Sequence, residues 1–244
     1  MTVSTNPDII FGTETWIDSN IKDSQIFPSG YTIFRKNRNC GGGGVLIAVK
    51  DIFIVTSVPE LQTDCEIVWC KLELVGHKTV YQSCFYNPKT SNENGYLEFE
   101  RSIHRADNST NAFIITAGDF NLPGWDWKTK SLKANTQHVN IHHKFTDILD
   151  DHGLVQMVED PTRESNTLDL IITNFPNCFN RIETIPGLSD HDIVFAELNT
   201  IPTKHTQRPR KIPLYKKAKW ENIKDKLKMI KEQIEKMYQK GNST

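Results

Sequence analysis

Short apolar blocks bounded by Gly, Pro, Asn and Asp recur through the first 200 residues, the pattern of a strand-rich domain with few, widely separated helices. Residues 8–13, 31–34 and 45–49 read as strands, the last fed by the glycine run 41–44. Residues 66–74 and 79–86 alternate or run apolar like buried strands, so these early segments are expected to form one meandering sheet. Helical spacing of Tyr96, Phe99 and Ile103 predicts a helix over 95–106. Residues 113–117 are wholly apolar and run into Gly118-Asp119-Phe120-Asn121. Val139, Ile141, Phe145, Ile148 and Leu149 then predict a helix over 137–152, closed by Gly153. Two late strands, 168–173 and 193–198, complete the pattern, the second directly after Ser189-Asp190-His191.

Pro202, Pro209 and Pro213 cannot continue a sheet interior. The reading is therefore one domain over 1–200, a basic Pro-rich linker over 201–213 and a Lys-rich amphipathic helical tail over 214–244. In that tail Trp220, Ile223, Leu227, Ile230, Ile234 and Met237 form a heptad-like stripe, suited to packing on its own domain, to a partner helix or to self-association.

Composition narrows the class. With 244 residues and 37% hydrophobic content the chain can bury one sizeable core. Its net charge of -1 conceals an asymmetry: residues 1–200 hold 16 Lys+Arg against 26 Asp+Glu, and residues 201–244 hold 13 against 4. An acidic body meets a polyanion only through cations held among its carboxylates, local basic patches or the basic tail. No apolar run nears the roughly 20 residues of a membrane span, and the start lacks a secretory pattern. An intracellular protein of nucleus or cytoplasm, not secreted and with no membrane partner, is expected. The five cysteines are an odd number without a C-x-x-C pair, so buried free thiols are expected in place of zinc or disulfides.

Candidate chemistry sits at strand ends. Asp119 and Asn121 are two apart and emerge on one side after an apolar strand, presenting a carboxylate and an amide together. Phosphodiester hydrolysis needs an oriented water, a base or metal to activate it, and positive charge on the developing oxygens. His191 can donate to a phosphate oxygen if a carboxylate holds its tautomer, and Asp169, between apolar neighbours, needs such a partner. Glu14, in Glu14-Thr15-Trp16 at the end of the first strand, is a suitable oxygen ligand for Mg2+. Other signals read structurally: the glycine run as tight turning or close packing, and His138, His142 and His143 as a solvated helix face without zinc partners. Trp125 and Trp127 serve either base stacking or core packing.

The ordered set Glu14, the 41–45 run, Tyr86-Asn87-Pro88, Gly118-Asp119-Phe120-Asn121, Thr167-Leu168-Asp169 and Ser189-Asp190-His191 resembles the endonuclease domains of non-LTR retrotransposons, in the endonuclease/exonuclease/phosphatase superfamily. Phe27-Pro28-Ser29-Gly30-Tyr31, Leu122-Pro123-Gly124-Trp125-Asp126-Trp127 and Pro161-Thr162-Arg163 agree with the CR1 and jockey-like members, and the resemblance spans about 7–198. It implies a DNase I-like α/β fold of the α+β type, a four-layer α/β/β/α sandwich of two facing, mainly antiparallel sheets. It also implies Mg2+, with Mn2+ as an alternative, at Glu14 and Asp190; Asp119 orienting or activating the water, assisted by Asn121; Tyr86 touching the scissile phosphate; and His191, held by Asp169, stabilising the phosphoryl oxygens. Thr167 and Ser189 would bind substrate. The partner would be DNA, nicked to leave a 3' hydroxyl that primes reverse transcription, with no small-molecule cofactor. The family's earlier strand, carrying an Asn beside the metal, has no counterpart in Met1 to Asn6, so the domain is expected to be truncated at its N-terminus. Two alternatives stay open: a catalytically impaired fragment that binds nucleic acid or protein, and a phosphatase or lipid phosphodiesterase of the same superfamily, which the Pro-Gly-Trp and Pro-Thr-Arg stretches do not favour.

Overall fold

A computed structural model describes residues 6–39, 41–109, 113–187, 189–199, 201 and 219–241. Most of the linker, together with Cys40 and Leu188, lies outside them. The chain divides into two compact units, Met1–Lys204 and His205–Thr244.

In the first unit β1 (Ile9–Thr13), β2 (Tyr31–Lys36) and β3 (Val45–Lys50) form an antiparallel sheet in the order β1-β3-β2. The chain then changes layer. β4 (Val55–Ser57), β5 (Glu66–Leu72) and β6 (Val80–Tyr86) lead into α1 (Glu93–Ser109), which returns the chain to β7 (Phe113–Asp119), parallel to β6. After the small hairpin β8 (Trp125–Asp126) and β9 (Ser131–Leu132) come α2 (Val139–Asp151), β10 (Val155–Gln156) and β11 (Asp169–Thr173). The second sheet has six strands in the order β10-β11-β7-β6-β5-β4, and β12 (Phe179–Ile185) with β13 (Ile193–Leu198) forms a separate antiparallel ribbon.

The expected single meander is therefore corrected to two sheets, and burial explains why. In β3 the run Val45-Leu46-Ile47-Ala48-Val49 is buried throughout: Val45, Ile47 and Val49 face Val68, Cys70 and Cys84 of the larger sheet, and Leu46 and Ala48 face outward under Ile17, Ile21 and Ile26. A strand apolar on both sides needs a layer on each. The outer cover is irregular chain with one 3-10 turn, Asp23–Gln25, because Pro28, Ser29 and Gly30 interrupt helical continuation there. Behind the six-stranded sheet, α1 and α2 bury Tyr96, Phe99 and Phe145 against Trp69, Phe85 and Phe120. The ribbon packs Ile182 and Val194 toward Ile115 and Ile171 on the inner face. The mixed α+β class expected from the sequence is the one that forms.

β12 has no counterpart in the sequence reading. Its pairing slips between Phe179 and Arg181, and such a bulge resets the alternation on which a strand is recognised. In the second unit α3 (Trp220–Gly241) carries the expected stripe on an exposed surface, Leu227 being 61% and Met237 74% accessible. No helix among the described residues is long and apolar enough to cross a membrane.

One glycine fixes how the site strand is laid down. Gly118 has φ +143, and a Cβ there would sit 1.9 Å from the Phe85 carbonyl oxygen of β6. Gly118→Ala should therefore lower stability by about 3 kcal/mol, the combined scale of a strained backbone and overpacking. Urea unfolding would check this, and an unchanged midpoint would show that β6 and β7 tolerate a wider separation.

Candidate active site

Strand register gathers the candidate residues into one row. Glu66 pairs with Tyr86, Tyr86 with Asp119, and Asp119 with Asp169, across β5, β6, β7 and β11. Directly opposed residues share a face, so all four side chains point toward the smaller sheet, while Phe85 and Phe120 point into the helix-covered core. Four separate sequence segments meet at one end of the sheet.

Glu14 arrives from the smaller sheet just past β1, accepting a short hydrogen bond from the Tyr86 hydroxyl on Oε1 and a contact of 3.4 Å from Trp16 Nε1 on Oε2. The glycine run sets its place. Thr15 and Trp16 donate their backbone N–H groups to Gly44 and Gly43 oxygens at 3.3 and 3.0 Å, and a Cβ on Gly44 would lie 2.5 Å from Thr15 Oγ1. Glu66 accepts from the Gly44 N–H and from Arg38 Nη1 at 2.9 Å, clamping the run from the larger sheet. Glu14 and Asn121 both have left-handed backbones, φ 48 and 50, a strain that persists only where surroundings enforce it.

Asp119 is 3% exposed. Its two oxygens accept from the Asn121 backbone N–H and from Asn121 Nδ2, each at 3.0 Å. The same Nδ2 donates to the Asn87 carbonyl at 2.7 Å, so both hydrogens of the Asn121 amide nitrogen are engaged. Asp169 Oδ2 lies 2.8 Å from His191 Nδ1, which fixes the donor on that nitrogen and turns Nε2 outward. Asp190 turns to Arg163 beside His191: its Oδ2 takes Arg163 Nη2 at 2.6 Å.

These contacts set the charges. Burial, then the neighbouring Asp169 and Glu14 carboxylates, push the Asp119 carboxyl up to about 7. The Asp169 hydrogen bond raises His191 above its ordinary value. Burial and the Glu14 contact push the Tyr86 phenol up, keeping it protonated. An excess of negative charge around a buried carboxyl is what a divalent cation relieves. Among the described residues no group of three or more His, Cys, Asp or Glu side chains closes on a common point. Mg2+ needs only one or two carboxylates beside water and substrate phosphate, and Glu14 with Asp119 fits that demand.

The remaining candidates sit around the row. Thr167 is buried with its hydroxyl donated to the Asp160 carbonyl at 3.1 Å, and exposed Ser189 accepts the His191 backbone N–H at 3.2 Å. Thr162, given no role by the sequence reading, does more to organise this end. Its buried Oγ1 accepts from the backbone N–H groups of Leu168 and Asp169 at 3.0 and 3.1 Å, and its carbonyl accepts from Asp192 at 2.7 Å. It thereby ties the Asp169 strand to the His191 loop. Asn87, fully buried behind Asn121, and Arg163 were also unassigned; a polar residue beside Pro88 and a cation in a turn carry no signal by spacing alone.

His142 corrects the solvated-face reading. It is 1% exposed, accepts from the Gly124 N–H on Nε2 at 3.1 Å and faces the His138 carbonyl through Nδ1 at 3.0 Å. Burial lowers its pKa, so it serves as a neutral brace between α2 and the loop after Asn121. Trp125 and Trp127 pack on that helix too, with ring centroids 5.8 Å from His143 and 6.2 Å from Phe145.

Residues 80–195 match the family described as Endonuclease-reverse transcriptase. Among solved structures, the endonuclease domain of TRAS1, a telomere-specific non-LTR retrotransposon, is similar with a TM-score of 0.63 at 16% identity, over 82% of this chain and 89% of that one. The 3' phosphatase NExo from Neisseria, bound to a product DNA hairpin, gives 0.61 at 16% identity over 82% and 91%. An AP endonuclease from Archaeoglobus fulgidus gives 0.61 at 15% over 82% and 91%. No curated protein matches the chain. The fold is that of the endonuclease/exonuclease/phosphatase superfamily.

Proposed function

We propose that this chain, whose residues 80–195 match the Endonuclease-reverse transcriptase family, is a Mg2+-dependent DNA endonuclease that leaves a 3' hydroxyl at the nick. The observation that carries the reading is the strand-end row Tyr86, Asp119 and Asp169 with His191 seated on Asp169 and Glu14 facing it from the other sheet. Family match and sequence resemblance support a nucleic-acid substrate over a small phosphomonoester.

In the proposed reaction water attacks phosphorus, the bond to the 3' oxygen breaks, and the other fragment keeps the 5' phosphate. Asp119, whose carboxyl stands near 7 without a cation and is lowered when one binds beside it, takes the proton from a water that the Asn121 amide helps to hold. His191 presents Nε2 toward the phosphate oxygens, and Asp169 stabilises the imidazolium that donates there. Tyr86 keeps its proton and sits beside the phosphate as a neutral donor. Mg2+, when bound, supplies positive charge to the phosphate and the leaving oxygen. Glu14 and Asp119 are the residues that would hold it; Asp190 is committed to Arg163.

A supercoiled-plasmid assay with Mg2+ tests the proposal. We expect nicked circles whose ends a polymerase extends directly, and loss of nicking in His191→Ala. A folded protein that leaves plasmid intact, or that turns over phosphomonoesters without cutting DNA, would overturn it.

A further inference from the structure

We infer that Arg163 forms, with His191, a two-donor clamp for the non-bridging oxygens of the scissile phosphate, and that Asp190 holds Arg163 in place for that task. The inference rests on the proposed nuclease reaction for its substrate, and on geometry for the rest.

Arg163 stands at the mouth of the site in a turn locked from both sides. Its N–H donates to the Asn166 carbonyl at 3.0 Å, and Asn166 returns a bond to the Arg163 carbonyl at 2.9 Å. The preceding Thr162 carries the link to Asp192 described above, so the Arg163 turn and the His191 loop form one assembly. Within it, Arg163 Nη2 is 2.6 Å from Asp190 Oδ2, while Nη1 stops 3.5 Å from His191 Nε2. The second distance is the informative one. Guanidinium offers only donors, and an imidazole whose Nδ1 faces Asp169 becomes a donor at Nε2 once it is protonated. While the imidazole is neutral its Nε2 accepts the Arg163 N–H at the outer limit of a hydrogen bond; once it is protonated, both groups present N–H donors to one space, where a single anion can accept from both.

Structural roles account poorly for the same contacts. The Arg163 and Asp190 side chains are 43% and 65% exposed, and an ion pair that open contributes little to stability. Its effect is to aim the fork. With Asp190 on Nη2, Nη1 is left pointing at the space in front of His191, where a phosphate can accept from guanidinium and imidazolium together. A planar, permanently charged donor suits phosphate oxygens better than a Lys ammonium does. The acidic neighbours that would repel a DNA strand are also answered, since Arg163 places fixed positive charge beside His191, the imidazole that Asp169 holds.

The test compares the whole chain with Arg163→Gln and Arg163→Lys, each first shown to melt cooperatively. In plasmid nicking with Mg2+, Arg163→Gln should lower kcat about 10²-fold, the scale of losing one preorganised donor, with KM changed less and Arg163→Lys intermediate. In EDTA, where nothing is cut, the slope of log affinity against log salt for a 20-base-pair duplex should fall by about 1 in Arg163→Gln. If the parent nicks and Arg163→Gln keeps its kcat within threefold, the clamp is wrong whatever the salt slope does. A fall in kcat with an unchanged slope supports a contact made in the transition state. Should the folded parent fail to nick, the nuclease reading falls, and the slope then decides separately: a drop of about 1 keeps Arg163 as a phosphate ligand, and no drop removes that too.

Discussion

Asp119→Asn is expected to lose at least about 10³ in nicking rate and yet to melt at a higher temperature than the parent at pH 8 without metal. The rate follows from removing the proton acceptor and an oxygen ligand of the site in one step. The stability follows from where the carboxyl sits. Asp119 is buried beside Asp169 and Glu14, and its folded-state pKa of about 7 stands above the ordinary 3.8. The native state thus binds a proton more tightly than the unfolded chain. Below roughly pH 4 the carboxyl is neutral in both states and no penalty arises; stability falls as pH rises toward 7, and above that the ionised group carries the full cost. Asn removes the charge and keeps an acceptor for the Asn121 N–H. A gain of roughly 3 °C or more at pH 8, vanishing near pH 4, is expected from the usual conversion for a domain of this size. Melting both proteins across that range decides it. A variant that melts lower at pH 8 would mean that the second bond, from Asn121 Nδ2, outweighs the buried charge.

Such a trade of stability for reactivity marks the residues that sequence reading reaches best. Asp119 and Asn121 stand out because an apolar strand ending in a carboxylate and an amide contradicts simple core packing, and Asp169 stands out because an acid flanked by Leu168 and Leu170 demands a partner. That partner is His191, as the sequence suggested. What could not be read was pairing in the third dimension. Residues 8–86 display strands but not their register, so the division into two sheets, and with it the opposition of Glu14 and Tyr86, stayed hidden. Exposure misled at His142, which looked like part of a polar face and is buried, because the Gly124 N–H needed an acceptor; Arg163, noticed only within Pro161-Thr162-Arg163, lies against His191. Thr162 was passed over because a threonine that serves backbone N–H groups resembles any other threonine until the loop closes around it.

Asp169→Asn should move both limbs of the pH–rate profile to lower pH, in addition to lowering kcat about 10²-fold or more. The rising limb belongs to Asp119, which must lose its proton to act as base; the Asp169 charge is, after burial, the largest influence raising its pKa. The falling limb belongs to His191, which must keep its proton; the hydrogen bond to Asp169 is the largest influence raising that pKa. Removing one negative charge therefore makes Asp119 a stronger acid and His191 a weaker base at once, and the bell shifts without inverting. Because these groups interact, the limbs report the coupled set and not each residue alone, but the direction is common to both. Nicking rates of the parent and Asp169→Asn between about pH 5 and pH 9, at one fixed Mg2+ concentration, measure it. Movement of the alkaline limb alone would mean that Asp169 serves only His191, and that a cation already masks its charge from Asp119. If neither limb moves, proton transfer at Asp119 and His191 does not control the rate, and the row of strand-end residues must act through binding and orientation.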